Sequence, residues 1–162
     1  MISFNFEFLA DSTLYSSIFK NSRLTNVKFI NANFESSLFE SCCLDNCVFE
    51  NTNLNSTEFN DCSLKNCLLI NCHLSDSSFT ETIFEECRFQ ADKKGSLDQA
   101  CFESCHFIKT IFTGFTGGQI GSASLIDSKF SNRNNSIEFK GSFYLISILQ
   151  PKNGISGMLN SI

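Results

Sequence analysis

The chain of 162 residues has no tryptophan, one proline, two tyrosines and two histidines, against nineteen phenylalanines and nine cysteines. What it lacks removes several classes of protein. No stretch of 18 apolar residues occurs, which argues against a membrane-spanning helix. The opening "MISFNFEFLADS" has no basic segment leading into an apolar run and a small-residue cleavage site, so no signal peptide is expected. Between Asn31 and Glu86 there are ten acids and only one base, Lys65. A surface of that charge repels nucleic acid, so neither direct nucleic-acid binding nor membrane association is expected.

Chemistry is scarce too. No glycine-rich phosphate loop follows a strand and opens a helix. His73 and His106 are far apart and share no metal-ligand spacing with the cysteines. The carboxylates form no acid–base pair. The sequence therefore predicts no catalytic residue, no metal and no cofactor, and the chain reads as a non-enzyme. Nine cysteines, an odd number without an export signal, read as reduced thiols and predict a cytoplasmic location. The apolar content is high enough to exclude disorder, and the length suits one domain.

What is present is a period of five. From Phe4 to Phe89 every fifth residue is Leu or Phe, 18 in succession; chance would give this with a probability on the order of 10⁻¹². Two residues before each of these anchors, from Ser12 to Cys87, stands Ser, Ala, Cys or Thr, with Val27 the bulkiest exception. The other three positions are mostly polar. Steps of five rotate a helix by a net angle of about 140°, which scatters the anchors around its axis. Strict strand alternation would send successive anchors to opposite faces. A solenoid remains, in which each pentapeptide makes one short side and then a corner, with one small and one large side chain inward.

This pattern, with a polar residue (often Asn or Asp) two after the anchor, resembles the pentapeptide-repeat proteins. The resemblance covers residues 2–91 without interruption and most of 100–132. It implies an all-β fold, a right-handed quadrilateral parallel β-helix with four pentapeptides per coil, often dimeric. Residues 20 apart would then stack about 4.8 Å apart. Cys42 would lie over Cys62, and Cys47 over Cys67 and Cys87. Asn26, Asn46 and Asn66 would form an outward ladder beside Asn31, Asn51 and Asn71, and Asp45, Lys65 and Glu85 a charged column. Cys43 is the one cysteine of the long run that points outward.

The repeat then breaks. Phe89 to Phe102 is 13 residues, read as an eight-residue insertion, an inserted loop near 90–99. Its Asp92, Lys93, Lys94 and Gly95 are either a projecting partner-contact loop or a tolerated corner. Anchors resume at Phe102, Phe107 and Phe112, then slip by three near 112–115 to Phe115, Ile120, Leu125 and Phe130. The repeat domain is placed at 2–132, and residues 133–162 are read as a cap, dimerisation segment or flexible tail. There Phe143, Tyr144, Leu145, Ile146, Ile148 and Leu149 are candidates to cover the last coil or to meet a second copy, because an open solenoid end invites aggregation. The first coil has no cap either.

Two surface features remain. Glu35, Glu40, Asp45 and Glu50 fall on four consecutive sides of one coil, and with Glu58, Asp61, Glu81, Glu85 and Glu86 they predict acids encircling the rod. Ile30, Val48, Leu68 and Ile70 fall outward on one side, as a docking patch or as a surface covered by the loop or the tail. The uninterrupted early solenoid, the loop after Cys87-Arg88-Phe89, the resumed coils and the terminal segment resemble the quinolone-resistance (Qnr) branch, although with one insertion rather than two. That resemblance implies a homodimeric acidic rod that imitates duplex DNA and binds DNA gyrase or topoisomerase IV, protecting it from quinolones or toxins. The alternative expectation is a structural scaffold or protein-interaction module without topoisomerase activity.

Overall fold

The structure, a computed structural model, describes residues 3–5, 8–92, 95–131, 138–139 and 143–147, with side chains only between 8 and 130. On three of the four sides each repeat places three residues in a strand, such as Ser63–Lys65, whose central anchor points inward and whose neighbours point outward. A corner follows two residues after the anchor. Among the described residues, twenty non-glycine residues at these corners take a positive φ, including Asn26 at 57°, Asn46 at 55° and Asn66 at 54°. Asn and Asp enter this left-handed region more readily than other side chains, and they supply eleven of the twenty. No glycine occurs before Gly95, so in the early coils the corner conformation itself selects the polar residue after each anchor.

Three sides of the solenoid are parallel sheets of eight, seven and seven strands. The first runs from Ser3–Asn5 to Phe143–Ser147, the second from Phe8–Ala10 to Lys129–Ser131, and the third from Ile18–Lys20 to Glu138–Phe139. Register is by 20: Leu24 pairs with Leu44, Leu44 with Leu64, and Leu64 with Phe84. The fourth side has only isolated bridges linking Thr13, Asn33, Asn53, His73 and Ser96. It closes with a turn in each coil, such as Ser37 N to Phe34 O at 2.9 Å. Asn33 and Asn53 brace that turn by accepting from Glu35 N and Asn55 N at 3.0 and 3.1 Å, the local role in which Asn excels. The whole is a right-handed, four-sided parallel β-helix.

Inside, phenylalanines on the third side stack face to face: Phe39 on Phe59 at 4.6 Å and Phe59 on Phe79 at 4.8 Å. The small inward position does more than fill space. Thr52 Oγ1 donates to Phe29 O at 3.2 Å, Thr57 Oγ1 to Phe34 O at 3.0 Å, and Cys62 Sγ to Phe39 O at 3.4 Å. Each reaches the anchor carbonyl of the coil before. Ser, Thr and Cys therefore recur because they carry a donor as well as a small volume.

The breaks in the repeat differ from the sequence reading. Leu97, 1% exposed, is an anchor on the fourth side, and Ser78 pairs with Cys101, an offset of 23 rather than 20. The insertion is thus three residues between Ala91 and Gly95, not eight. Lys93 and Lys94 lie outside the described residues. In the next coil Phe102 pairs with Ile120 and Phe112 with Phe130, an offset of 18, so two residues are missing. The slip near 112–115 has a structural cause. Leu97 N bonds to Thr116 O, as Leu74 N bonds to Ser96 O, which puts fully buried Phe115 in the small position and Gly117 in the anchor position. Large and small have changed places.

The asparagine ladders form only in part. Asn46 Nδ2 donates to Asn26 Oδ1, but Asn66 donates to Asp45 at 3.5 Å, Asn31 to Asp11 at 3.1 Å, and Asn71 Oδ1 accepts from Asp92 N at 2.9 Å. At the far end, pairing extends past Asn132, where the repeat fades from the sequence. Glu138–Phe139 joins the third sheet and Phe143–Ser147 is the last strand of the first. Phe143, Tyr144, Leu145 and Ile146 are thus built into a strand. Ile148 and Leu149 lie outside the described residues.

Candidate interaction surfaces

Among the described residues no group of three or more His, Cys, Asp or Glu side chains is arranged to hold a metal ion. The cysteines are free thiols, buried except for exposed Cys43 and half-buried Cys101. Burial pushes the Cys72 and Cys105 thiols up to about 12. The neighbouring Cys67 thiol, and then burial, raise Cys47; the Cys42 thiol, and then burial, raise Cys62. Thiols held protonated in this way are poor nucleophiles. Lys65 sits between Asp45 and Glu85 as its column predicts, bonded to Glu85 at 3.0 Å.

The distribution of charge is the informative feature. Glu35, Glu40, Asp45 and Glu50 do lie on four sides of the rod, but the rod as a whole is not ringed. Among the residues described with their side chains, from the fourth side, across the third sheet, to the corner beyond it, there are eight carboxylates and one cation, Lys20, which pairs with Glu40. Among the same described residues, the first and second sheets with their remaining corners hold seven carboxylates and six cations. The acidic side is regular: Glu35 and Glu40 on one coil, Glu58 and Asp61 on the next, then Asp76 and Glu81, then Asp98 and Glu103. Two charges per rise of about 4.8 Å give one per about 2.4 Å. Duplex DNA carries one per about 1.7 Å, and a single strand of it one per about 3.4 Å. Glu85 and Glu86 belong to the other half, where Lys65 and Lys109 pair with them.

Ile30, Val48, Leu68 and Ile70 share the outer face of the second sheet, all half-buried. Sequence reasoning missed the most exposed apolar side chains, Phe8 at 62%, Tyr15 at 55% and Ile18 at 65%. All three belong to the first coil, where Leu9, Leu14 and Phe19 are also only partly buried. The signal was available: Phe8 and Ile18 stand directly before anchors, at outward positions.

No curated protein matches the chain in sequence. Among solved structures, full-length QnrB1, a plasmid-mediated fluoroquinolone resistance protein, matches with a TM-score of 0.59 at 13% identity, over 85% of this chain and 81% of its own. A trypsin-treated QnrB1 variant matches with a TM-score of 0.52 at 17% identity, over 85% of this chain and 77% of its own. A pentapeptide repeat protein of the Arabidopsis thaliana thylakoid lumen matches with a TM-score of 0.52 at 20% identity, over 56% of this chain and 64% of its own. At these identities the likeness is one of fold. Residues 1–89, more than half of the chain, match the family model described as the SV2A/B/C luminal domain; the chain is a pentapeptide-repeat solenoid and belongs to that family.

Proposed function

We propose that the chain is a non-enzymatic binding protein whose acidic side enters a protein groove made for duplex DNA, the partner being a type II topoisomerase, DNA gyrase or topoisomerase IV. The observation that carries this reading is the regular pair of carboxylates on four successive coils, with a charge density between that of one DNA strand and that of the duplex. Anionic rods of this kind compete for cationic grooves through long-range attraction, with no base contact required. In this reading the chain works in the cytoplasm as a homodimer through its C-terminal strand, with residues 92–94 as a further contact, Gly95 being turned inward against Phe115, and it shields the enzyme from quinolones or toxins. A gyrase supercoiling assay with and without a quinolone tests it. Inhibition or quinolone rescue at micromolar protein is expected, and no effect on either would sink the topoisomerase partner.

One observation favours a second reading, an interaction scaffold without topoisomerase activity. The family description names a luminal domain and no topoisomerase, and the Arabidopsis relative is also luminal. The same assay separates the two, because a scaffold leaves supercoiling and drug inhibition unchanged.

A further inference from the structure

We infer that the outer face of the second sheet binds an extended peptide rich in carboxylate and aliphatic side chains. Two outward columns flank its buried anchors. One runs Lys28, Val48, Leu68, Arg88; the other runs Ile30, Glu50, Ile70, Gln90. With Lys129 further along, this face carries three cations and one carboxylate, in a chain whose net charge is −5. The third sheet is the reverse, with Glu40, Glu58 and Glu103 against Lys20. The ion pairs found among the described residues are Lys20–Glu40, Lys65–Glu85 and Lys109–Glu86, so none engages Lys28, Arg88 or Lys129. Aliphatic side chains set between unpaired cations suit a ligand that supplies both apolar surface and negative charge.

Size and charge select the occupant. Three residues of strand across seven strands make a strip of about 10 by 34 Å, or about 340 Å² in projection. A stable complex of two folded proteins needs about 800 Å² from each partner, so this strip alone does not hold a second copy. An extended segment of about ten residues spans its length. Residues 148–162 do not match, since their one charged side chain, Lys152, has the wrong sign and no Asp or Glu occurs among them. The inference does not rest on the topoisomerase reading, which concerns the opposite side of the rod.

The test is selection from a displayed library of random twelve-residue peptides on the wild-type chain, with counter-selection on Lys28→Glu/Arg88→Glu. The expected winners combine Asp or Glu with Leu, Ile or Val. The leading synthetic peptide should bind at least tenfold more weakly to Lys28→Glu/Arg88→Glu and to Leu68→Ser/Ile70→Ser, and equally well to Glu58→Lys on the opposite sheet. Circular dichroism on each variant confirms that the fold is kept. Winners without acidic residues, or equal binding to all variants, overturn the inference. So does the finding that the face serves another occupant: phosphatidylserine vesicles sedimenting the chain only when Lys28 and Arg88 are present, or a dimer mass lost in Leu68→Ser/Ile70→Ser.

Discussion

Gly95 and Phe115 share one space: a Cβ on Gly95 would lie 2.9 Å from Phe115 Cε1 and 2.5 Å from the Cβ of Ala91. The ring fits only because the coil before it gives up its side chain. Gly95→Ala should therefore destabilise by overpacking, about 1–3 kcal/mol, and Phe115→Ala by leaving a cavity, about 3–5 kcal/mol. The double variant should cost less than the sum, since removing the ring relieves one of the two contacts while the closer one, to the Ala91 Cβ, remains. Denaturant melts of the three variants check this, and strict additivity would mean that the added methyl group meets Ala91 alone and not the ring.

The donor in the small position is separable from its size. Val27 occupies that position fully buried, so valine fits. Thr57→Val keeps the volume and removes the bond to Phe34 O. The expected loss is about 0.5–1.5 kcal/mol, with Thr57→Ser retaining the bond at the cost of a methyl group. An unchanged unfolding midpoint for Thr57→Val would reduce the position to filler.

Alkaline pH should unfold the chain through its cysteines. Cys72 and Cys105 are pushed up to about 12 by burial, whereas an unfolded thiol ionises near 8.5. The folded state favours the neutral thiol, so the contribution is full below about pH 8.5 and declines as pH rises toward 12, by about 1.4 kcal/mol per unit for each thiol. Thermal melts from pH 8 to pH 10 should show a falling midpoint, with a shallower slope in Cys72→Thr/Cys105→Thr. Identical slopes would mean that other groups carry the effect.

The insertion is removable only at its true limits. Ala91 and Leu97 are buried, at 6% and 1% exposure. Deleting residues 92–94 should restore the offset of 20 and leave the melting midpoint within a few degrees. Deleting residues 91–97 should unfold the coil by removing an anchor. If both deletions melt alike, the three-residue assignment is wrong.

These cases show what a period of five reveals and what it hides. Anchors such as Phe59 and Leu64 were legible because each side of the coil must bury one large side chain, and that demand repeats. Leu97 was hidden because three extra residues put it out of phase, and Phe115 was read as an anchor although it takes the position of a small residue. The acidic residues were all visible, but their side was not. Glu58 and Glu85 look alike in sequence, and only the coil's geometry sets one on the acidic face and the other beside Lys65. The exposed Phe8 and Ile18 passed unnoticed because anchors adjacent to them explained the apolar content.

The central claim is that the acidic side, not acidity in general, stands in for DNA. The direct measurement is displacement of a fluorescent duplex from DNA gyrase by the wild-type chain and by two variants of equal net charge. One is Glu58→Gln/Asp61→Asn/Glu81→Gln on the acidic side; the other is Asp45→Asn/Glu50→Gln/Glu86→Gln on the remaining sides. The wild type and the second variant should displace the duplex at similar concentrations, and the first should need at least tenfold more. Equal loss in both variants, or no displacement by the wild type, would contradict the account.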